Sequence, residues 1–195
     1  MNTAFSDVAE DSVRALVADS PLAWLVPAAA PEEARLMPCL PVEQGKFRIE
    51  GHLPIAAPIT AILRTDPRLT ILFKGPDAYI SPRVVGDERW GPTWNFASVA
   101  LRGTVDFQEH RTQSIVKRLT AHMEGSNDPE WIARRMGDRF DLLSKRIVGF
   151  EFTVEVCKPR FKLGQDETEE TRQKIMNHFP DSPLGAAMRR QDDQT

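Results

Sequence analysis

Hydrophobic and polar residues alternate most regularly at Val148, Phe150, Phe152, Val154 and Val156, which predicts a strand with one buried face. A second long strand is predicted from Asn95 to Phe107, with Gly103 marking a bulge or bend of the kind a barrel strand needs at a corner. Shorter apolar β-type runs cover Leu22 to Val26, Leu36 to Leu40 and Phe47 to Leu53, with Pro27, the Ala-Pro-Glu-Glu stretch and Gln44-Gly45 as turns. Leu69 to Lys74 reads as a continuous apolar strand buried on both sides. Gly75-Pro76-Asp77 reads as a turn after it, and Ala78 to Ser81 as extended chain.

Helical spacing occurs early and late. Val8, Val13, Leu16 and Val17 predict an opening helix, with Asp7 and Glu10 three apart as in a capping arrangement and Ser20-Pro21 as its stop. Pro58 to Arg64 reads as a short helix started by proline. Ile115, Val116, Leu119 and Met123 mark one amphipathic helix; Trp131, Ile132, Met136, Phe140 and Leu143 mark a second. A last helix is expected from Thr168 to His178, with a frayed tail over 185–195. About six strands with few helices between the early ones imply a closed or nearly closed antiparallel sheet in an α+β chain. The expectation is a single domain over 1–195, with 109–145 as a helical insertion packed on the barrel.

Composition narrows the function classes. The 195 residues are 41% hydrophobic and 27% charged, and 25 Lys+Arg stand against 28 Asp+Glu for a net charge of −3. The two signs are interspersed, unlike the one-signed basic face of a dedicated DNA-binding module. Arg134-Arg135, Arg139 and Lys145-Arg146 alternate with acids, as on a solvated helix face. Cys39 and Cys157 match no metal or redox spacing, and His110, His122 and His178 have no partner at ligand spacing, so no metal is assigned. No nucleophilic triad and no Gly-rich phosphate loop is present, and no catalytic residue is assigned. The opening residues lack a secretory pattern, and no apolar run approaches the ~20 residues that span a bilayer. The expected location is the cytoplasm, without membrane association.

Two segments combine rigid prolines, aromatics and small polar groups in a way that suits the wall of a planar-ligand site: Phe73 to Pro82 and Gly91 to Phe96. On composition alone, two proline-bounded turns whose polar groups satisfy the local backbone are the better explanation. Taken with their order in the chain, however, Gly51-His52-Leu53, GPDAYISP at 75–82, PTWNF at 92–96, IVGFEF at 147–152 and Lys162-Leu163-Gly164-Gln165 resemble the PaiB family of FMN-binding negative transcriptional regulators. The resemblance runs from about Ser20 to about Gln165. It implies an FMN-binding split β-barrel with flanking helices, related to pyridoxamine-phosphate-oxidase-like flavoproteins, acting as a homodimer with FMN as cofactor.

Carried over by position, the resemblance implies that His52, Ser81, Pro82, Thr93, Trp94, Asn95, Lys162 and Gln165 bind the cofactor. Threonine and asparagine satisfy ring N–H and C=O groups, and tryptophan offers a stacking surface. The chain departs from the family pattern at Ile55, where a basic residue is typical, and at Ala57, where asparagine is. Histidine is typical at Cys39, and a Trp-Tyr pair at Val84-Val85. A lost cation on a phosphate costs about 1.5–3 kcal/mol, or one to two decades of affinity. Arg83, Arg89 and Lys162 are the substitutes the sequence offers. Three functions stay open: a PaiB-type repressor with DNA as partner, a small flavin-dependent oxidoreductase, and a degenerate split barrel that has lost FMN and takes another ligand or partner.

Overall fold

In the computed structural model, described for residues 5–42 and 45–192, six strands close into a barrel in the order β1-β2-β3-β6-β5-β4. The strands are β1 Leu22–Pro27, β2 Arg35–Pro41, β3 Arg48–Pro54, β4 Arg68–Ile80, β5 Thr93–Phe107 and β6 Ile147–Lys162. β1 pairs antiparallel with β2 and β4, β2 with β3, and β3 with β6. The helices are α1 Glu10–Asp19, α2 Pro58–Thr65, α3 Pro82–Val85, α4 Thr112–Met123, α5 Trp131–Met136, α6 Asp138–Ser144, α7 Glu169–His178 and α8 Pro183–Asp192. The turn residue Gln44 lies outside the described residues, as do 1–4, 43 and 193–195.

By internal packing the chain divides into two compact units. The first comprises 1–16, 74–99 and 158–195; the second comprises 17–73 and 100–157. In the second unit the pleat puts Ile49, Gly51 and Leu53 of β3 and Phe150 and Phe152 of β6 inward, all buried. Gly51 is required there: a Cβ on it would lie 2.7 Å from Phe150 Cζ and 3.1 Å from the Cys39 sulfur. Cys39 is wholly buried, and burial pushes its thiol well above the usual range. Gly103 has the same kind of role, because a Cβ on it would strike the Thr153 carbonyl where β5 passes β6. The outer face of β2 and β3 is covered by α4, whose Ile115 and Leu119 form a buried cluster with Leu40.

Several sequence expectations change. Gly75-Pro76-Asp77 is not a turn but the middle of β4, a 13-residue strand, and Lys74 pairs with Asp77 along it. β4 is not buried on both faces either: Leu69, Ile71 and Phe73 are buried while Leu72 is exposed. The helix over 131–143 is two helices, broken at Gly137 in the left-handed region (φ 53°), which only glycine adopts readily. Residues 185–192 of the expected frayed tail instead belong to α8, because Leu184, Ala187 and Met188 share a buried stripe, while 193–195 lie outside the described residues.

Candidate functional site

In the first unit, β4 and β5 bring Tyr79 and Trp94 together. Their rings meet edge to face, 6.0 Å between centroids, and each is about half exposed, at 49% and 53%. Two large aromatics left open side by side are costly in water unless something stacks on them. Beside them, Lys162 Nζ donates to Thr93 Oγ1 at 2.9 Å and to the Trp94 carbonyl at 3.5 Å. An ammonium has three donors, so one remains for a further acceptor. Trp90 Nε1 donates to Glu167 at 3.1 Å, fastening the approach to β5 onto the turn that follows β6.

Ser81 caps α3, accepting from the Arg83 amide at 3.3 Å, and Pro82 takes the first helical position. Ser81, Pro82, Arg83 and Asp87 line a cavity of about 470 Å3. The other two carried-over residues of this unit turn inward on the protein itself. Gln165 Nε2 donates to the Phe161 carbonyl at 2.6 Å, and its Oε1 accepts from the Leu163 amide at 2.6 Å, so its amide clips its own turn. Asn95 is buried, with Nδ2 3.9 Å from the Met188 sulfur of α8. Its position on β5 is what fixes this: it alternates with Trp94, and only one of the two can face solvent.

His52 belongs to the second unit, whereas the other seven carried-over residues belong to the first. It sits on the outer face of β3 opposite Gly149, with a buried Nδ1 that has no partner. Burial lowers its pKa and favours the neutral ring. Ile55 lines a cavity of about 550 Å3 in this unit together with Arg64 and Lys145 but also Glu109 and Asp141, so both cations and carboxylates stand near it. Arg64 is already held by Glu109 at 2.9 Å and lies over the Phe107 ring. Ala57 is the N-cap residue of α2 and is buried. Arg89 is wholly exposed near Asp87 and Arg83 lines the Ser81 cavity.

Two features were beyond the reach of sequence reading. Tyr79 was visible only as part of a motif, and its pairing with Trp94 depends on β4 running straight through Gly75-Pro76. The other is an ionic chain on the covered outer face of β3 and β6. Glu50 and Glu151 stand directly opposite one another there. Arg118 Nη2 reaches Glu50 at 2.6 Å, Arg111 reaches both carboxylates at 3.3 Å, and Arg48 reaches Glu151 at 2.9 Å.

For FMN, the chemistry of the first unit fits the ring. Trp94 and Tyr79 would offer aromatic surface, while Lys162 and Thr93 would offer donors to ring or ribityl oxygens. When bound, FMN would supply redox chemistry; these side chains would hold and orient it.

Comparisons with known proteins point to the same cofactor. Residues 1–156 match the family described as "Putative FMN-binding domain". Lys162 and Gln165 therefore lie beyond the matched stretch. The chain is 26% identical over 125 residues to Protease synthase and sporulation protein PAI 2 of Bacillus subtilis (strain 168), covering 63% of this chain and 60% of that protein. It spans only 54 to 60% of the length of the curated relatives it matches. Its fold is shared with the FAD and heme binding protein from Mycobacterium smegmatis, at TM-score 0.62 and 12% identity over 89% of this chain and 80% of that one. The flavocytochrome Anf3 from Azotobacter vinelandii is similar at TM-score 0.62 and 15% identity, over 87% and 75% of the two chains. No helix among the described residues is long and apolar enough to cross a membrane. With four-fifths of its length inside the family model, the chain belongs to the FMN-binding domain family, is PaiB-like, and has FMN as the cofactor that membership assigns.

Proposed function

We propose that the protein holds FMN against the Tyr79–Trp94 corner and works as a homodimer in the cytoplasm. The observation that carries this is the half-exposed aromatic pair with a lysine ammonium beside it, which has a donor to spare. In this reading Trp94 and Tyr79 contact the ring, Thr93 and Lys162 serve its oxygens, and Ser81 with Pro82 and Arg83 borders the site. Gln165 acts by fixing the turn that carries Lys162, and Asn95 by anchoring α8 behind β5.

The dimer reading is supported by a row of exposed apolar side chains on the outer face of the second unit. Trp24 of β1 stands opposite Leu36 of β2 and Leu72 of β4, with Leu22 two residues along the same face. A contiguous apolar face of this kind marks an interface. A net charge of −3 gives no sequence-independent attraction to DNA, so repression of transcription is supported only by the PaiB resemblance. The competing output is flavin-dependent oxidoreduction.

The test is an FMN titration of the apoprotein, read by quenching of flavin fluorescence. Saturation at micromolar FMN or below is expected, with Trp94→Ala and Lys162→Met each weakening it about tenfold. Absence of quenching at high FMN overturns the reading. Reduction of the bound flavin by NAD(P)H favours the oxidoreductase; a promoter-specific gel shift without such reduction favours the repressor.

A further inference from the structure

A groove of about 470 Å3 lies in the second unit between the C-terminal half of α4 and the end of β2. Its walls are Ala18, Leu40, Pro41 and Ala121, and its polar groups include Arg118, His122 and Asn127. Arg118, Ala121 and His122 are spaced i, i+3, i+4, so one face of α4 presents the cation and the apolar floor together. The His122 ring is fixed by Nε2–H donating to the Ala18 carbonyl at 2.8 Å. No carboxylate lines the groove among the described residues.

The charge balance beneath it is uneven. The chain Arg48–Glu151–Arg111–Glu50–Arg118 joins three guanidinium groups to two carboxylates, which leaves one positive charge in excess. Arg111 is shared by both carboxylates, whereas Arg118 ends the chain with one Nη2 contact to Glu50. A guanidinium carries five N–H donors, so Arg118 retains a fork suited to a second carboxylate. Glu50 lies 1% exposed beneath it and holds the guanidinium in place before any ligand arrives.

We propose that this groove binds a small amphipathic carboxylic acid, its carboxylate on Arg118 and its apolar body against Leu40, Pro41 and Ala121. A bare inorganic anion would leave those walls unused, and a neutral molecule would leave the surplus charge unanswered. The groove contains none of the residues of the flavin reading, so the two stand or fall separately.

The experiment is an amide NMR titration of the full chain with 3-phenylpropionate, with 3-phenylpropanamide and inorganic phosphate as controls. Saturable shifts confined to the amides of Arg118 to Asn127 and their neighbours at Ala18 and Leu40 are expected, with the amide compound about tenfold weaker or more. Arg118→Gln should lose binding by a similar factor. Because Arg118 also holds Glu50, Ala18→Trp provides a second variant that fills the groove and leaves the ionic chain intact; it too should abolish the shifts. The proposal is overturned if no shifts occur, if acid and amide bind alike, if phosphate binds as tightly at the same amides, or if either variant retains full affinity.

Discussion

Two outer faces of the same barrel unit invert the usual distribution of polarity. The face of β3 and β6 lies under α4, yet it carries Glu50, Glu151 and the arginines that neutralise them. The face of β1, β2 and β4 lies open, yet it carries Leu22, Trp24, Leu36 and Leu72. A covered ionic face is largely closed by its own chain, and because each carboxylate has fixed arginine partners it specifies how α4 docks. An open apolar face has no such cover among the described residues, and its energy is released only when a second surface covers it. The difference distinguishes a finished interface from one awaiting completion.

The largest expected effect comes from breaking the finished side. Replacing Arg111 and Arg118 together with alanine leaves Glu50 buried and unpaired, and chemical denaturation should show a loss of about 3–5 kcal/mol. A comparably local disruption is Gly149→Val. A Cβ there would lie 2.8 Å from Ile115 Cδ1 and 3.0 Å from Thr112 Cα, and the Gly149 amide donates to Thr112 Oγ1 at 2.9 Å. The substitution should lift α4 off β6 at a cost of about 3 kcal/mol, read as a lower Tm. On the open side, Trp24→Asp should leave monomer stability nearly unchanged. It should weaken self-association by about 2 kcal/mol, roughly thirtyfold, seen as a smaller mass in light scattering. A protein that is monomeric before the substitution removes the contrast between the two faces.

The smallest effect is in the pH profile, where two neighbours on the covered face oppose each other. Burial raises the Glu50 carboxyl above its ordinary 4.5 despite the adjacent Arg118 and Arg111. Its contribution to stability is therefore fully present below that ordinary value and is lost as pH rises through the raised one. Burial lowers His52 below 6.5, so its contribution is present above 6.5 and is lost as pH falls through the lowered value. Melting curves of the native protein against Glu50→Gln and His52→Gln should diverge in opposite directions on acidification. Parallel curves would mean that neither group changes its environment on folding.

The strands with one buried face were legible in the sequence, since β6 announces itself through Val148, Phe150 and Phe152. What alternation cannot show is where its outward residues go. Glu50 and Glu151 are about a hundred positions apart, and only strand register makes them neighbours. Gly75-Pro76-Asp77 carries turn residues, but the pairing of Lys74 with Asp77 and the need for a bare Gly75 beside Leu16 belong to a strand. Within the candidate site, the motif names Trp94, Lys162, Asn95 and Gln165 alike, and only the structure shows that the amides of Asn95 and Gln165 are directed at the protein itself. Their polar heads answer to Met188 and to the local backbone, and a motif does not record which way an amide points.

The wholly buried sulfur of Cys39 gives this chain a built-in clock. Cys157 is exposed, so a thiol-reactive dye should modify it within the mixing time, whereas Cys39 reacts only when the strands around it part. The lag between first and second label is thus a direct reading of how often the barrel breathes, obtained from the native sequence without introducing a probe.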